Sequence, residues 1–115
     1  MPSGERTSNM AGRMEANAEV MTAYLSGEID HHIAGELRET IDRRAEEVRP
    51  SLLILDFGDV TFMDSSGIGL VMGRYKLMQS LGGELEVARM TSQIRRVMKL
   101  AGLERLVRLE EGGRR

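Results

Sequence analysis

Two serine hydroxyls and a carboxylate stand side by side in Asp64-Ser65-Ser66, shortly after an apolar segment that predicts a buried strand. Apolar residues at helical spacing begin after Ser66, so the three side chains lie where a strand becomes a helix. A serine at the first turn of a helix is exposed and lies near unpaired backbone N–H groups. Three kinds of chemistry use such a position: nucleophilic attack, phosphate binding and reversible phosphorylation.

The first of these, serine hydrolysis, fails on spacing. The nucleophile of a strand-to-helix elbow has glycine two residues before and two residues after it, and neither Ser65 nor Ser66 has glycine two residues before it. The candidate general bases, His31 and His32, lie together at the start of another predicted helix, and no oriented triad is indicated. We therefore expect no catalytic residue and a protein that is not an enzyme.

Phosphate binding has a partial motif. Glycines in Ser66-Gly67-Ile68-Gly69 could present backbone N–H groups to an anion at the helix start. The chain has neither G-x-G-x-x-G nor G-x-x-x-x-G-K-[ST], the two glycine motifs that are typical of nucleotide sites. Weak nucleotide binding stays open on this evidence, but a dedicated nucleotide enzyme or a bound cofactor is not indicated.

Metal binding has little support. His31 and His32 project about 100° apart on a helix, and the chain has no cysteine. Asp56, Asp59 and Asp64 could gather around a divalent cation at a strand end, but caps and turns use aspartate in the same positions. We expect no metal site and read Asp64 as a helix cap.

Reversible phosphorylation fits the position best. A phosphate on Ser65 would add a charge of about -1.5 to -2 where the helix dipole tolerates it, so the fold would survive. A partner surface pressed against the same turn would meet that charge close to Asp64, at a cost of several kcal/mol. Phosphorylation would then abolish binding without unfolding the domain.

Composition limits the class of protein. The 115 residues suit one domain with one core, and the absence of cysteine fits a reducing cytosol. A net charge of -2 with interspersed signs gives no basic field for nucleic acid or an anionic membrane. No apolar run approaches the roughly 18 residues of a membrane span. We expect a cytoplasmic protein that binds neither nucleic acid nor membrane.

The order of predicted elements indicates an α/β fold. Polar, aperiodic residues 1–11 predict a disordered leader, residues 12–110 form the domain, and residues 111–115 are a polar tail. The domain reads as two strands, then helix, strand, helix, strand, helix and edge strand, with Asp30 capping the first helix and Gly58-Asp59 ending the central strand. This alternation predicts a small, mostly parallel mixed sheet of four to five strands. The second helix has so many apolar residues that we expect part of its apolar surface to remain unpacked.

A family likeness rests on three motifs. Phe62-Met63-Asp64-Ser65-Ser66-Gly67-Ile68-Gly69, Gly73-Arg74-Tyr75-Lys76 and Gly27-Glu28-Ile29-Asp30-His31-His32 together resemble the anti-sigma factor antagonists of the STAS domain family. The likeness is greatest to the sporulation stage II branch, the antagonists of the anti-sigma F factor. It extends from about residue 20 to residue 109.

The resemblance implies a STAS-like fold with helices mainly on one face of the sheet, and a role in transcription regulation by partner switching. The unphosphorylated antagonist would bind an anti-sigma factor, a serine kinase of the histidine-kinase-like ATPase type, and so free the sigma factor. That kinase would phosphorylate Ser65, and a PP2C-type serine phosphatase would reverse the modification. The docking residues implied by the likeness are Asp30, Asp64, Ser66, Gly67 and Ile68. The alternative is a STAS scaffold or nucleotide-sensing module in a stress-response signalling complex.

Overall fold

A six-stranded mixed sheet organises the chain in the computed structural model, which describes residues 5–8, 12–17 and 19–110. Its strands are β1 (Glu5–Ser8), β2 (Gly12–Ala16), β3 (Val20–Ile29), β4 (Leu52–Met63), β5 (Glu84–Ala88) and β6 (Arg108–Leu109), and they lie in chain order across the sheet. β1, β2 and β3 are antiparallel neighbours, whereas β3 to β6 are parallel. The helices are α1 (His31–Val48), α2 (Ser65–Leu81) and α3 (Ser92–Leu100), with a short 3₁₀ turn at Leu103–Arg105.

Local signals in the sequence set the ends of the helices. Asp30 caps α1 and Asp64 caps α2, as predicted, while Thr91 caps α3 through its hydroxyl. α1 ends before Pro50, and α2 ends at Gly82, whose φ of 80° is a left-handed conformation that glycine adopts without strain. The predicted order of strands and helices from residue 12 onward is confirmed.

The two faces of the sheet differ in burial. Alternate residues of β3, β4 and β5 are buried against α1 and α2 in one apolar core, to which α3 adds Ile94 and Met98. The opposite face carries half-buried or polar side chains, among them Thr22, Tyr24 and Ile54. We call this second side the open face. No helix among the described residues is long and apolar enough to cross a membrane.

Some details of the sheet differ from the sequence prediction, and part of the prediction falls outside the described residues. Glu5–Ser8, part of the predicted leader, pair with β2 as an additional edge strand, so the sheet has six strands rather than four to five. Residues 1–4, 9–11 and the predicted tail at 111–115 lie outside the described residues. β3 continues through Gly27 to Ile29, and β4 continues through Gly58-Asp59 to Met63, because bulges absorb the extra residues instead of turns.

The apolar surface of α2 is almost entirely used in packing. Ile68, Met72, Tyr75, Leu77 and Leu81 are partly buried against the core. Among the described residues, the exposed large apolar side chains are Phe62, Val97, Leu100 and Leu106, and none of them belongs to α2. The expectation of unpacked apolar surface on this helix is therefore wrong, because α2 packs both on the sheet and against α1.

Candidate functional site

The start of α2 exposes Ser65 as the first residue of the helix. The Asp64 carboxylate before it accepts a hydrogen bond from the Ser66 backbone N–H at 2.8 Å, and the Asp64 carbonyl accepts one from Gly67 N–H at 2.9 Å. These bonds satisfy two donors of the first turn. The Ser65 hydroxyl is left in solvent at the positive end of the helix dipole, while Ser66 is only partly exposed.

Strand pairing brings Asp30 beside this turn. Ile29 of β3 is paired with Met63 of β4, and the Ile29 carbonyl accepts a hydrogen bond from Asp64 N–H at 3.2 Å. The residue that follows each of these strands is the N-cap of a helix, so the caps Asp30 and Asp64 are neighbours at the carboxyl end of the sheet. Asp30 is exposed, and its carboxylate accepts a hydrogen bond from Ile33 N–H at 2.9 Å. Strand pairing thus brings two carboxylates to the sheet edge at which Ser65 begins α2.

Gly67 does not lie on the surface. It is buried under Met63, and a Cβ at this position would collide with Cγ and Sδ of that side chain. Ile68, by contrast, is partly exposed and packs against the core from the edge. Of the five docking residues expected from the sequence, Asp30, Asp64, Ser66 and Ile68 are accessible, whereas Gly67 shapes the turn from inside.

An exposed aromatic ring next to the turn had no signal in the sequence analysis. Phe62 is 53% exposed, and it is paired with Glu28 at the end of β3. Apolar residues at the end of a strand are expected to be buried, so only the register of pairing, which the sequence does not give, places Phe62 outside.

The histidines and the aspartates do not form a metal site. The His32 imidazole lies 3.2 Å from the Glu36 carboxylate, one helical turn further along α1, and both side chains are well exposed. No group of three potential metal ligands occurs within the part of the chain that the structure describes. Asp56, the first of the three aspartates considered, instead accepts a hydrogen bond from Gly58 N–H at 2.8 Å inside β4.

A wide depression lies on the open face, away from the glycines of α2. It has a volume of about 930 Å³ and includes Tyr24, Asp56, Glu86 and Arg89 in its lining. The Arg89 guanidinium lies 3.7 Å from the Asp56 carboxylate, so one cation faces at least two acidic side chains. This charge pattern does not favour a phosphate group.

A buried ion pair joins the two helices that lie behind the site. Arg74 of α2, only 4% exposed, places Nε 2.8 Å from the Asp42 carboxylate of α1. Burial raises the pKa of Asp42, although Arg74 acts in the opposite direction. Burial likewise lowers the pKa of Arg74 while Asp42 raises it. The pair forms a fixed contact between α1 and α2.

Comparison with known proteins places this geometry in a family. Residues 13–112 match the STAS domain. The chain belongs to the STAS domain family. Among curated STAS relatives, the anti-sigma F factor antagonist of Paenibacillus polymyxa is 33% identical over 99 residues, which cover 86% of this chain and 85% of the relative. The anti-sigma-B factor antagonist of Bacillus subtilis (strain 168) is 29% identical over 103 residues, covering 87% and 93%.

Solved STAS structures agree with this assignment. SpoIIAA, an anti-sigma factor antagonist, matches in its unphosphorylated form with a TM-score of 0.77 at 28% identity, covering 88% of this chain and 89% of SpoIIAA. The phosphorylated form of SpoIIAA from Bacillus matches with a TM-score of 0.70, covering 88% and 92%. The predicted STAS-like fold is thereby confirmed. Antagonists of this family are binding regulators rather than enzymes, which confirms that expectation as well.

Proposed function

We propose that this chain is an anti-sigma factor antagonist whose unphosphorylated form binds an anti-sigma factor and is inactivated by phosphorylation of Ser65. The observation that carries the proposal is the exposed Ser65 at the first turn of α2, directly after the cap Asp64 and at a strand end paired with the one that leads to the cap Asp30. The names of the curated relatives support the first half of the proposal. The existence of phosphorylated and unphosphorylated SpoIIAA structures supports the second half.

The geometry favours Ser65 over Ser66 as the phosphate acceptor. A kinase must reach the hydroxyl oxygen, and Ser65 is the more exposed of the two residues. A phosphate there would lie at the start of α2, where the helix dipole favours negative charge. The domain would stay folded, while a partner that had accommodated Asp64 and Asp30 would meet an added charge of about -1.5 to -2.

The anti-sigma factor in this proposal is itself the kinase, a histidine-kinase-like ATPase, and a PP2C-type phosphatase restores the binding form. Both partners act in the cytoplasm, in sporulation or a related stress response. The direct contacts come from Asp30, Asp64, Ser66 and Ile68, which are accessible. Gly67 contributes by letting Met63 close over the turn.

Phosphorylation by the cognate anti-sigma kinase with ATP tests the acceptor. Intact-mass measurement should show one added phosphate on the wild type and on Ser66→Ala, and none on Ser65→Ala. The two variants are matched, because each removes one hydroxyl from the same turn. A phosphate that persists in Ser65→Ala and disappears in Ser66→Ala would move the switch by one residue and overturn the assignment.

A further inference from the structure

Phe62 is the largest of the apolar side chains that the described residues leave exposed. An isolated exposed apolar residue needs no explanation by itself. Phe62 differs because its position is produced by an irregularity in the sheet and because it lies three residues before Ser65. Neither Val97, Leu100 nor Leu106 shares these two properties, since they lie on α3 or in the segment that follows it.

A bulge turns Phe62 outward. Side chains two residues apart on a regular strand share a face, so the buried Val60 would place Phe62 in the core. The register instead shifts: Gly27 is paired with Val60, but the next residue, Glu28, is paired with Phe62, so that Thr61 is the extra residue of β4. Such a bulge re-aims the side chains that follow it. Here the phenyl ring goes to the open face.

The same shift places Met63 on the core side, where it covers Gly67 at the first turn of α2. A flexible thioether is thus packed inside while a rigid aromatic ring of greater apolar area stays in water. Burial of the larger side chain would favour folding more, so the arrangement opposes stability. Binding accounts for it, because buried aromatic anchors surrounded by a polar rim contribute most of the affinity of protein interfaces.

We propose that Phe62 anchors the anti-sigma factor by entering an apolar pocket on that partner, so that the docking surface extends from Ser65 onto the open face of the sheet. The proposal rests on the proposed function and adds the chemistry of the partner to it. Exposed Asp59 and partly exposed Asp64 lie to either side of Phe62 along the chain. The partner's pocket is therefore bordered by cationic or hydrogen-bond-donating groups. Phe62 lies three residues before Ser65, so a phosphate on Ser65 would add its charge close to the anchor.

Titration calorimetry of the unphosphorylated full chain with the cognate anti-sigma factor tests the anchor. Phe62→Ala should weaken binding by about 10- to 100-fold, as removal of an anchor does. Leu100→Ala is the matched control, because Leu100 is an exposed apolar residue on α3, and its affinity should equal that of the wild type. Thermal unfolding of Phe62→Ala should stay close to that of the wild type. Phe62→Gln, which keeps the side-chain length, replaces Phe62→Ala if that variant does not fold.

The outcomes separate the two proposals. A wild-type chain that binds no anti-sigma factor would refute the proposed function, and the role of Phe62 with it. Wild-type binding combined with unchanged affinity of the Phe62 variant would overturn the anchor and leave the proposed function standing. Equal losses in the Phe62 and Leu100 variants would also overturn it, because the effect would then not belong to the bulged end of β4.

Discussion

Charged groups are buried and paired at the middle of α2 but exposed at its start. At its middle, Arg74 and Asp42 face each other across the contact with α1, and the guanidinium is almost fully buried. At its start, Asp64 and the neighbouring Asp30 carry negative charge at the surface, and Ser65, directly after Asp64, is exposed. Arg74 and Ser65 are separated by only nine residues of one helix, yet they belong to different environments.

The difference shows which charged groups have their interaction partners within the domain and which can still bind another molecule. Arg74 has its ion partner inside the domain, and loss of that partner would leave a buried charge. The carboxylates at the start of α2 and α1 each accept one backbone hydrogen bond and keep their remaining capacity for another molecule. Changes in the buried pair should therefore appear as loss of stability, and changes at the helix starts as loss of binding.

The largest effect is expected from Ser65→Asp. A carboxylate at this position adds negative charge beside Asp64 and Asp30, so binding to the anti-sigma factor should weaken about 100-fold, or about 2.8 kcal/mol. The melting temperature should change little, since the start of a helix accepts negative charge. Calorimetric titration and thermal unfolding measure the two quantities, with Ser65→Ala as a neutral control that binds like the wild type. Undiminished affinity of Ser65→Asp would contradict charge repulsion as the switch.

The buried pair provides the opposite case in Asp42→Ala. This change removes the carboxylate from the Arg74 guanidinium, which keeps its hydrogen bond to the Leu70 carbonyl at 3.4 Å, and should lower the free energy of unfolding by about 2 kcal/mol. Urea denaturation measures the loss, and Glu39→Ala on the exposed side of α1 controls for a lost helix carboxylate. Because replacement of a buried ion pair by apolar side chains is often neutral or stabilising, Asp42→Leu combined with Arg74→Leu should recover most of the loss. A double variant as unstable as the single one would show that the pair stabilises the fold outright.

The sequence predicted the two helix caps at the candidate site better than it predicted the details of the sheet. Asp30 and Asp64 were recognisable as caps because each precedes an apolar pattern of helical period, and the structure confirms both. The Asp42–Arg74 pair was not recognisable, since Asp42 belongs to the charged side of α1. The two residues are 32 positions apart in the chain, and only the packing of α1 against α2 brings them together.

The edge strand β1 and the final residues of β4 could not be predicted from the sequence for a different reason. β1 is held by backbone pairing with β2, which needs no apolar pattern in Glu5–Ser8. Gly58-Asp59 has the composition of a turn, but the Asp56 carboxylate accepts the Gly58 N–H and the strand continues through a bulge. The outward position of Phe62 depends on that kind of register shift, which is a property of the paired strands and not of either sequence alone.

Two glycines near the start of α2 are expected to differ in their effect on stability. Gly67→Ala adds a methyl group against Met63 and should lower the free energy of unfolding by about 1–2 kcal/mol. Gly69→Ala is the matched control in the same helix: nothing lies within 4 Å of its added Cβ, so the change should raise stability by about 0.5–1 kcal/mol. Urea denaturation distinguishes them. Equal stability of the two variants would mean that Met63 moves away at no cost and that Gly67 is not needed beneath it.

The smallest effect concerns Asp30, which has two roles that can be separated. Asparagine keeps a side-chain oxygen for the Ile33 N–H but removes the charge, whereas alanine removes both. Asp30→Asn should stay within about 0.5 kcal/mol of wild-type stability, and Asp30→Ala should lose about 1 kcal/mol.

Binding of the anti-sigma factor then shows what the charge contributes. If the partner contacts the carboxylate, both Asp30 variants should bind several-fold more weakly than the wild type, and Glu46→Gln, with the same change of charge near the other end of α1, should bind normally. If Asp30→Asn bound like the wild type, Asp30 would be a cap alone. The docking surface would then begin at Asp64 and exclude Asp30. The pairing of β3 with β4 would position the turn that carries Ser65 without adding a contact to the partner.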